Sequence, residues 1–287
     1  MYVIAGATGQ TGAAAADALL AQGKPVTVIV HSEDKGKNWQ LKGAKVAVAD
    51  LGDTPGLRSI LSGADGAYLL IPPGYNAPKI VEDRRRVIEA LAKAVAESGI
   101  SHVVLLSSIG GHLSSGTGLI VNNYNGEKAL APVAKNLTVL RASYFIENWR
   151  PVLDLAKEGV LPSFLIANRK IPMVATKDVG RVVAESLVNP ARGRRVIELA
   201  GPQDYSPDDI AQALRSVLGR EVSVNQLPVE AAAPILKGMG FSDDAVRLFQ
   251  EMSAGINSGH VSFESKGTEF RRGNVTPEEV FRGLLKR

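Results

Sequence analysis

Tyr2-Val3-Ile4-Ala5-Gly6-Ala7-Thr8-Gly9-Gln10-Thr11-Gly12, followed by Ala13-Ala14-Ala15-Ala16, is the stretch whose reading decides the fold. A short apolar run ends in three glycines spaced by three, and an Ala/Leu-rich segment follows to Leu20. The order is strand, tight turn, helix. Gly6 permits the sharp exit from the strand, Gly9 keeps a Cβ away from an approaching pyrophosphate, and Gly12 lets the helix pack close to the sheet. The helix N-terminus offers free N–H groups and a partial positive charge to phosphates. The whole turn, with Thr8, Gln10 and Thr11 between its glycines, therefore reads as a dinucleotide-binding segment.

Working outward, strand-like and helix-like stretches alternate. Val26-Thr27-Val28-Ile29-Val30 is an unbroken β-branched run, and Lys45–Val48, Ala67–Ile71 and Val103–Leu106 continue the series. Between the last two, a helix is expected over roughly 78–98, with Val81, Val87, Ile88, Leu91 and Val95 on one face and Gly99 as its stop. Strands apolar on both faces and separated by helices mean a parallel sheet covered on both sides, which right-handed crossovers make doubly wound. After Pro151 the rhythm loosens, although a helix near 178–187 and a strand at 195–199 look like a return to the sheet. Ser206-Pro207-Asp208-Asp209 and Thr276-Pro277-Glu278-Glu279 are helix starts with a hydroxyl N-cap, proline in the first turn and acids near the positive end. The expected architecture is α/β: a doubly wound parallel Rossmann sheet with a smaller C-terminal α/β lobe on the substrate side. Residues 1–150, with 175–200 returning, would form the nucleotide-binding domain, and 151–174 with 201–287 the lobe.

The end of the second strand bears on cofactor choice. NAD sites usually place an acid there, about 20 residues beyond the glycine turn, to grip the ribose 2′-hydroxyl. This chain has Val30-His31-Ser32, with Lys35 close behind. His31, Ser32 and Lys35 suit a 2′-phosphate, although Glu33 and Asp34 make the loop one of mixed charge. NADP(H) is favoured over NAD(H). Asp50-Leu51 follows the third strand, where the adenine edge normally lies, and Asp50 reads equally well as a loop or N-cap aspartate. Pro72-Pro73-Gly74 is a rigid turn at the end of the fourth strand, lining the crevice.

The fifth strand leads into Ser107-Ser108, and Tyr124-Asn125-Gly126-Glu127-Lys128 lies on the next helix. A phenol and an ammonium four residues apart share a helical face. Tyr124 could pass a proton to a carbonyl receiving hydride, Lys128 could bond the nicotinamide ribose, and Ser108 could hold the carbonyl. A Tyr-x-x-x-Lys spacing also arises by chance in chains of this size, and both readings stay open here.

Composition narrows the class. The 287 residues are 45% apolar and 22% charged, with a net charge of +4. That is an ordinary globular balance with ample core. Basic clusters such as Arg84-Arg85-Arg86 are interleaved with acids and read as solvated faces, so nucleic acid is not expected as a partner. The absence of cysteine excludes disulfides, thiolate catalysis and Cys-ligated zinc, and no metal site is expected. A strand beginning at residue 2 leaves no room for a signal peptide, and no apolar run approaches the ~20 residues of a membrane span. A soluble cytoplasmic protein is expected, with oligomeric state open.

The sequence resembles the NmrA-like family, an atypical branch of the short-chain dehydrogenases and reductases. The resemblance rests on Gly6–Gly12, on the run Val139–Trp149 that includes Ala142-Ser143-Tyr144-Phe145-Ile146-Glu147-Asn148-Trp149, on Lys170–Gly180, and on Glu198-Leu199-Ala200-Gly201-Pro202 with Tyr205-Ser206 and Asp209-Ile210-Ala211. It implies a cleft between the Rossmann domain and the small lobe, with Tyr144, Phe145 and Asn148 near the nicotinamide and Lys128 at the ribose. Family members that bind NADP often carry arginine where this chain has His31. Many lack the superfamily tyrosine, and some sense NADP(H) without turnover. The resemblance implies an NAD(P)H-dependent reductase of a small electrophilic, flat aromatic acceptor of quinone, azo or enone type. The alternative is a non-catalytic NADP(H) sensor acting through a protein partner.

Overall fold

The computed structural model describes residues 1–286. The first half runs β1 (Tyr2–Ile4), α1 (Gln10–Leu20), β2 (Val26–Val30), α2 (Glu33–Leu41), β3 (Lys45–Val48), α3 (Thr54–Leu61), β4 (Gly66–Leu69), α4 (Ile80–Ser98), β5 (Val103–Ser108), α5 (Val121–Leu130) and β6 (Leu137–Ala142). After it come β7 (Tyr144–Phe145), α6 (Leu153–Lys157), β8 (Val160–Ser163), β9 (Ile171–Val174), α7 (Thr176–Val188), β10 (Arg194–Ala200) and β11 (Asp204–Tyr205). The chain finishes with α8 (Pro207–Leu218), β12 (Ser223–Gln226), α9 (Ala232–Gly238), α10 (Asp243–Ser258), β13 (Glu269–Arg272) and α11 (Pro277–Leu285).

Eight strands form one sheet in the order β13-β10-β6-β5-β4-β1-β2-β3. Every pairing in it is parallel. The order reverses between β1 and β4, and the carboxyl ends at that switch point open the crevice where such sheets bind ligands. Strand residues alternate between two cores. Ile4, Val104 and Leu140 join Leu19 and Val183 on one face. Val3, Leu105 and Val139 join Leu57, Leu91 and Val95 on the other. Burial on both faces is why these strands read as continuous apolar runs.

Two small sheets, β11-β9-β7 and β12-β8, lie outside the main one. With α6, α8, α10 and α11 they enclose a separate core that includes Trp149, Leu161, Met173, Leu214 and Phe281. Both expected N-caps are present as reciprocal capping boxes, Ser206 with Asp209 and Thr276 with Glu279.

One strand departs from the division expected above. β13 lies within 201–287, yet it pairs with β10 at the edge of the large sheet. Its Glu-Phe-Arg-Arg sequence carries no apolar pattern because ion pairs hold it: Arg195 donates to Glu269 Oε2 from Nε and Nη2 (2.8 and 2.6 Å), and Arg271 pairs with Glu185 at 2.9 Å. The Gly/Ser-rich stretch 110–121 packs against α10. A side chain at Gly118 would run into the α10 backbone at Leu248 and Met252. His260 Nε2 lies 3.1 Å from the Ser115 carbonyl oxygen. No helix among the described residues is long and apolar enough to cross a membrane.

Candidate active site

The glycine turn is built as its spacing demands. Gly6 adopts φ +66°, and a Cβ there would meet Leu70 at 2.6 Å. The Gly9 N–H donates to the Gly6 carbonyl at 2.9 Å, closing the turn. A Cβ at Gly12 would meet the Ala5 carbonyl oxygen at 2.5 Å and overlap that of Gly6, so α1 touches β1 backbone to backbone. Gly9 is the N-cap of α1, with no side chain capping the helix and no acid in its first turn. Thr8, Gly9 and Gln10 are exposed, whereas Thr11 and Gly12 are buried beneath them. Bare N–H groups, an open Gly9 and no competing carboxylate fit a pyrophosphate.

At the end of β2, His31, Ser32 and Lys35 are all exposed. His31 Nδ1 lies 3.9 Å from Asp50 Oδ2, both side chains being 70% exposed, and Asp50 Oδ1 accepts from the Gly52 N–H at 2.6 Å. Asp50 is therefore a loop aspartate facing the histidine. Leu51 is buried beneath it. Lys37 is engaged by Asp34 at 2.6 Å, which leaves Lys35 as the cation nearest Ser32 on the first turn of α2.

A cavity of ≈ 860 Å³ opens beside this turn, at the carboxyl ends of the central strands. Gln10, Pro72, Ser108, Tyr144, Phe145 and Asn148 all line it, so the structure gathers these six expected residues in one place. The opposite wall is apolar and comes from the second half of the chain, with Phe164, Leu236, Phe241, Phe249, Met252 and Phe263. Tyr75 stacks on Phe241 at 4.3 Å, and half-exposed Leu155, Ile235 and Met239 also contribute to the lining. Burial pushes the Tyr144 hydroxyl up to about 12, with Asn148 opposing and Tyr75 adding to the shift. Tyr144 thus stays a neutral phenol at physiological pH.

Tyr124 and Lys128 do share a face, with Lys128 Nζ 5.6 Å from the Tyr124 ring centroid. Neither lines the cavity; α5 contributes Asn122 and Asn123 instead. The residue between them, Glu127, is buried in a network absent from the sequence reading. Arg141 donates to it from Nε (2.9 Å) and Nη2 (2.8 Å), and Ser107 Oγ donates at 2.6 Å. Arg141 Nη1 also reaches Glu264 at 2.6 Å, and Glu198 lies 3.7 Å away. Burial works against the charge on Arg141, but its hydrogen bonds to Glu127 and Glu264 outweigh it and hold the guanidinium still more firmly protonated. The network ties α5, β6 and the segment 260–268 together beside the cavity. The available signal was a lone arginine in the apolar run Leu137–Ala142, which demands a buried partner.

A second buried acid, Glu147, lies within the run Val139–Trp149. It is 8% exposed and lines the cavity. Its Oε1 accepts from the Thr176 N–H (2.9 Å) and hydroxyl (2.6 Å), which ties the turn Ile146–Val152 to the start of α7. An acid inside an aromatic run was the signal that could have found it.

A profile of the NmrA-like family matches residues 2–270. The chain belongs to this family. Among curated relatives of this NmrA-like protein, quinone oxidoreductase 2 of Escherichia coli strain K12 is 27% identical over 270 residues, covering 93% of this chain and 91% of that protein. The NAD(P)H azoreductase of Xenophilus azovorans is 22% identical over 256 residues, covering 88% and 86%. Among solved structures, that of the NADPH-dependent quinone oxidoreductase of Escherichia coli complexed with NADPH superposes with a TM-score of 0.81 at 24% identity, over 99% of this chain and 100% of that one. The triphenylmethane reductase of Citrobacter sp. complexed with NADP(H) gives 0.81 at 17% identity, over 99% and 100%. These likenesses carry the Rossmann-type fold across the whole chain.

Proposed function

We propose that this NmrA-like protein is an NAD(P)H-dependent reductase of a flat, apolar, electrophilic acceptor of quinone or azo type. The observation that carries the reading is the ≈ 860 Å³ aromatic-walled cavity that meets the glycine turn at Gln10. Such a cavity is large enough for a nicotinamide and a ring system together. The names of the curated quinone and azo relatives support it.

Gly6, Thr8, Gly9, Gln10, Thr11 and Gly12 would hold the pyrophosphate, Asp50 and Leu51 the adenine edge, and Pro72, Tyr144 and Phe145 the nicotinamide end. His31, Ser32 and Lys35, with no acid at the tip of β2, support NADP(H) over NAD(H). Once bound, the nicotinamide supplies the hydride. Ser108, on the cavity wall, orients the acceptor's oxygen or nitrogen. The aromatic wall would exclude water and offer an apolar surface to a flat acceptor. Tyr124 and Lys128 stand off that wall, so this reading gives them no proton transfer.

Purified protein with NADPH and a panel of quinones and azo compounds tests the proposal through loss of the cofactor's near-ultraviolet absorbance. Turnover of at least one acceptor is expected. Tight NADPH binding with no turnover of any acceptor would overturn the reductase and favour a sensor that signals through a protein partner.

A further inference from the structure

Arg150, Arg169 and Lys170 line the cavity and are exposed, which puts them at its mouth. Other cations of the lobe are engaged by acids, Lys157 by Asp154, Lys237 by Asp243 and Arg247 by Asp244, each at 2.7 Å, whereas among the described residues the charged heads of these three have no ion-pair or hydrogen-bond partner. The one acid among the lining residues is Glu147, which is buried and bonded to Thr176. The mouth is therefore positive. The loop that carries two of the cations is tied down on both sides. The Ile166 N–H donates to Asn257 Oδ1 (3.1 Å), the Asn257 amide donates to the Phe164 carbonyl (2.8 Å), and the Ala167 N–H donates to Gln226 Oε1 (2.9 Å). The Arg169 guanidinium rests against the end of α10, where a Cβ on Gly259 would stand 2.5 Å from Nη2. Asp208 touches this loop through its N–H, which donates to the Ala167 carbonyl at 2.9 Å, but its carboxylate pairs with neither cation and does not line the cavity. Tyr144 pairs with Met173 across β7 and β9, so Lys170 stands three residues further back, about 10 Å from the level of Tyr144.

We propose that the acceptor carries an oxyanion substituent (a sulfonate, carboxylate or phosphate) on the part of its ring system remote from the nicotinamide, and that Arg169 and Lys170, with Arg150, receive it. The inference rests on the reductase reading and narrows its acceptor class. A flat acceptor with its reacting end at Tyr144 and its rings along the aromatic wall brings a far substituent to the level of Lys170. The guanidinium groups offer paired N–H donors that match the geometry of an oxyanion, and the lysine adds a point charge. No ion pair has to break for them to do so. Before contact, the positive mouth draws an anionic acceptor towards the cavity. The substituent takes no part in hydride transfer, so these three are specificity residues.

A charge series on one ring system tests this: 4-hydroxyazobenzene, its 4′-sulfonate and its 4′-trimethylammonium analogue. Binding is read from the dye's absorbance in the presence of NADP⁺, which cannot deliver hydride, so the result does not depend on turnover. The sulfonate should bind about tenfold more tightly than the neutral dye, the lower end for a hydrogen bond to a charged group, and the ammonium most weakly. Raising the salt from about 20 to about 500 mM should bring the three within about threefold. Arg169→Gln with Lys170→Gln should collapse the preference at low salt, Arg169→Lys should keep it, and Arg169→Glu with Lys170→Glu should reverse it in favour of the ammonium, which a loss of packing would not do. No sulfonate preference in the wild type, a preference insensitive to salt, or one that survives the double Gln substitution overturns the inference. The salt dependence is read on the wild type and stands if a variant fails to fold. Turnover with NADPH separates the two readings. Reduction of quinones or azo dyes without a sulfonate preference overturns the anion site alone, and a sulfonate preference without turnover of any acceptor overturns the reductase alone.

Discussion

The two inner glycines of the turn make opposite predictions when each is given a methyl group. At Gly12 the added Cβ would sit 2.5 Å from the Ala5 carbonyl oxygen and closer still to Gly6, all of it backbone, with no side chain free to rotate away. Ordinary contact begins near 3.4 Å, so α1 would have to withdraw from β1 by about 1 Å. Its other side is blocked: a Cβ at Gly180 on α7 would already meet the Ala14 carbonyl oxygen at 2.5 Å, so the two helices touch without slack. Gly12→Ala should therefore cost about 3 kcal/mol, the upper end of overpacking. At Gly9 the methyl would find only the Gly6 carbonyl oxygen, at 3.4 Å, and φ is −97°. Gly9→Ala should fold with a stability within about 1 kcal/mol of wild type. Its methyl would nevertheless stand over the bare N–H groups of α1. Loss of one charge-assisted bond to phosphate, about 1.5–3 kcal/mol, raises the NADPH Kd roughly 10- to 100-fold. Urea unfolding and a fluorescence titration with NADPH measure the two quantities on the same samples. A Gly9→Ala protein that binds NADPH as wild type does would refute the placement of the pyrophosphate, and a Gly12→Ala protein of wild-type stability would refute the packing.

Tyr124→Phe should leave kcat on a quinone within about threefold, because the phenol lies off the cavity wall; a loss of 10² or more would return the proton to Tyr124. His31→Asp should narrow the ratio of NADH to NADPH dissociation constants by about tenfold, since it places a second acid beside Asp50, and an unchanged ratio in paired titrations would dissociate His31 from the 2′-phosphate. Burial, with the nearby Arg195 charge, lowers His102 from 6.5 to about 4. The folded protein therefore binds fewer protons than the unfolded chain between those values, and the stabilisation is whole above pH ~6.5 and lost as pH falls through ~4. The loss is ~3 kcal/mol at most, and His102→Gln should flatten this part of the acid limb in urea unfolding at pH 7 and 4.5. Arg141→Met removes both guanidinium hydrogen bonds of the buried Glu127 carboxylate, leaving it Ser107 and the half-exposed Arg194, and should cost about 3 kcal/mol in the same assay, with Glu127→Gln on that background recovering part of it; a neutral single substitution would contradict the network.

What was legible in the sequence was local. The glycine turn, the capping boxes at Ser206 and Thr276, and the apolar face of α4 are each fixed by residues within a few positions of one another, so spacing alone specifies them. The buried strands were legible because burial on both faces leaves an unbroken apolar run. The edge strand β13 was not, because its Glu269 and Arg271 are satisfied by Arg195 and Glu185, which are distant in sequence. The Tyr124–Lys128 pair shows the same limit within the candidate site. Helical spacing dictates that the two share a face, but how α5 rolls is decided by the buried Glu127–Arg141 pair, which turns Glu127 inward. Asn122 and Asn123 face the cavity as a result.

The cavity's walls have separate origins, and this bears on how the chain divides its work. The side that meets the dinucleotide comes from strand ends and from the turn at 143–149, all anchored in or beside the parallel sheet. The opposite side comes largely from α9, α10 and the segment near Phe263; α9 and the first half of α10 pack in small satellite clusters, whereas Met252, Ile256 and Phe263 join the core of the lobe. Residues such as Ile235 and Met239, 47% and 55% exposed, border the cavity where substitution costs the folded state little. Under the reductase reading, acceptor preference can therefore change on that side without disturbing the glycine turn.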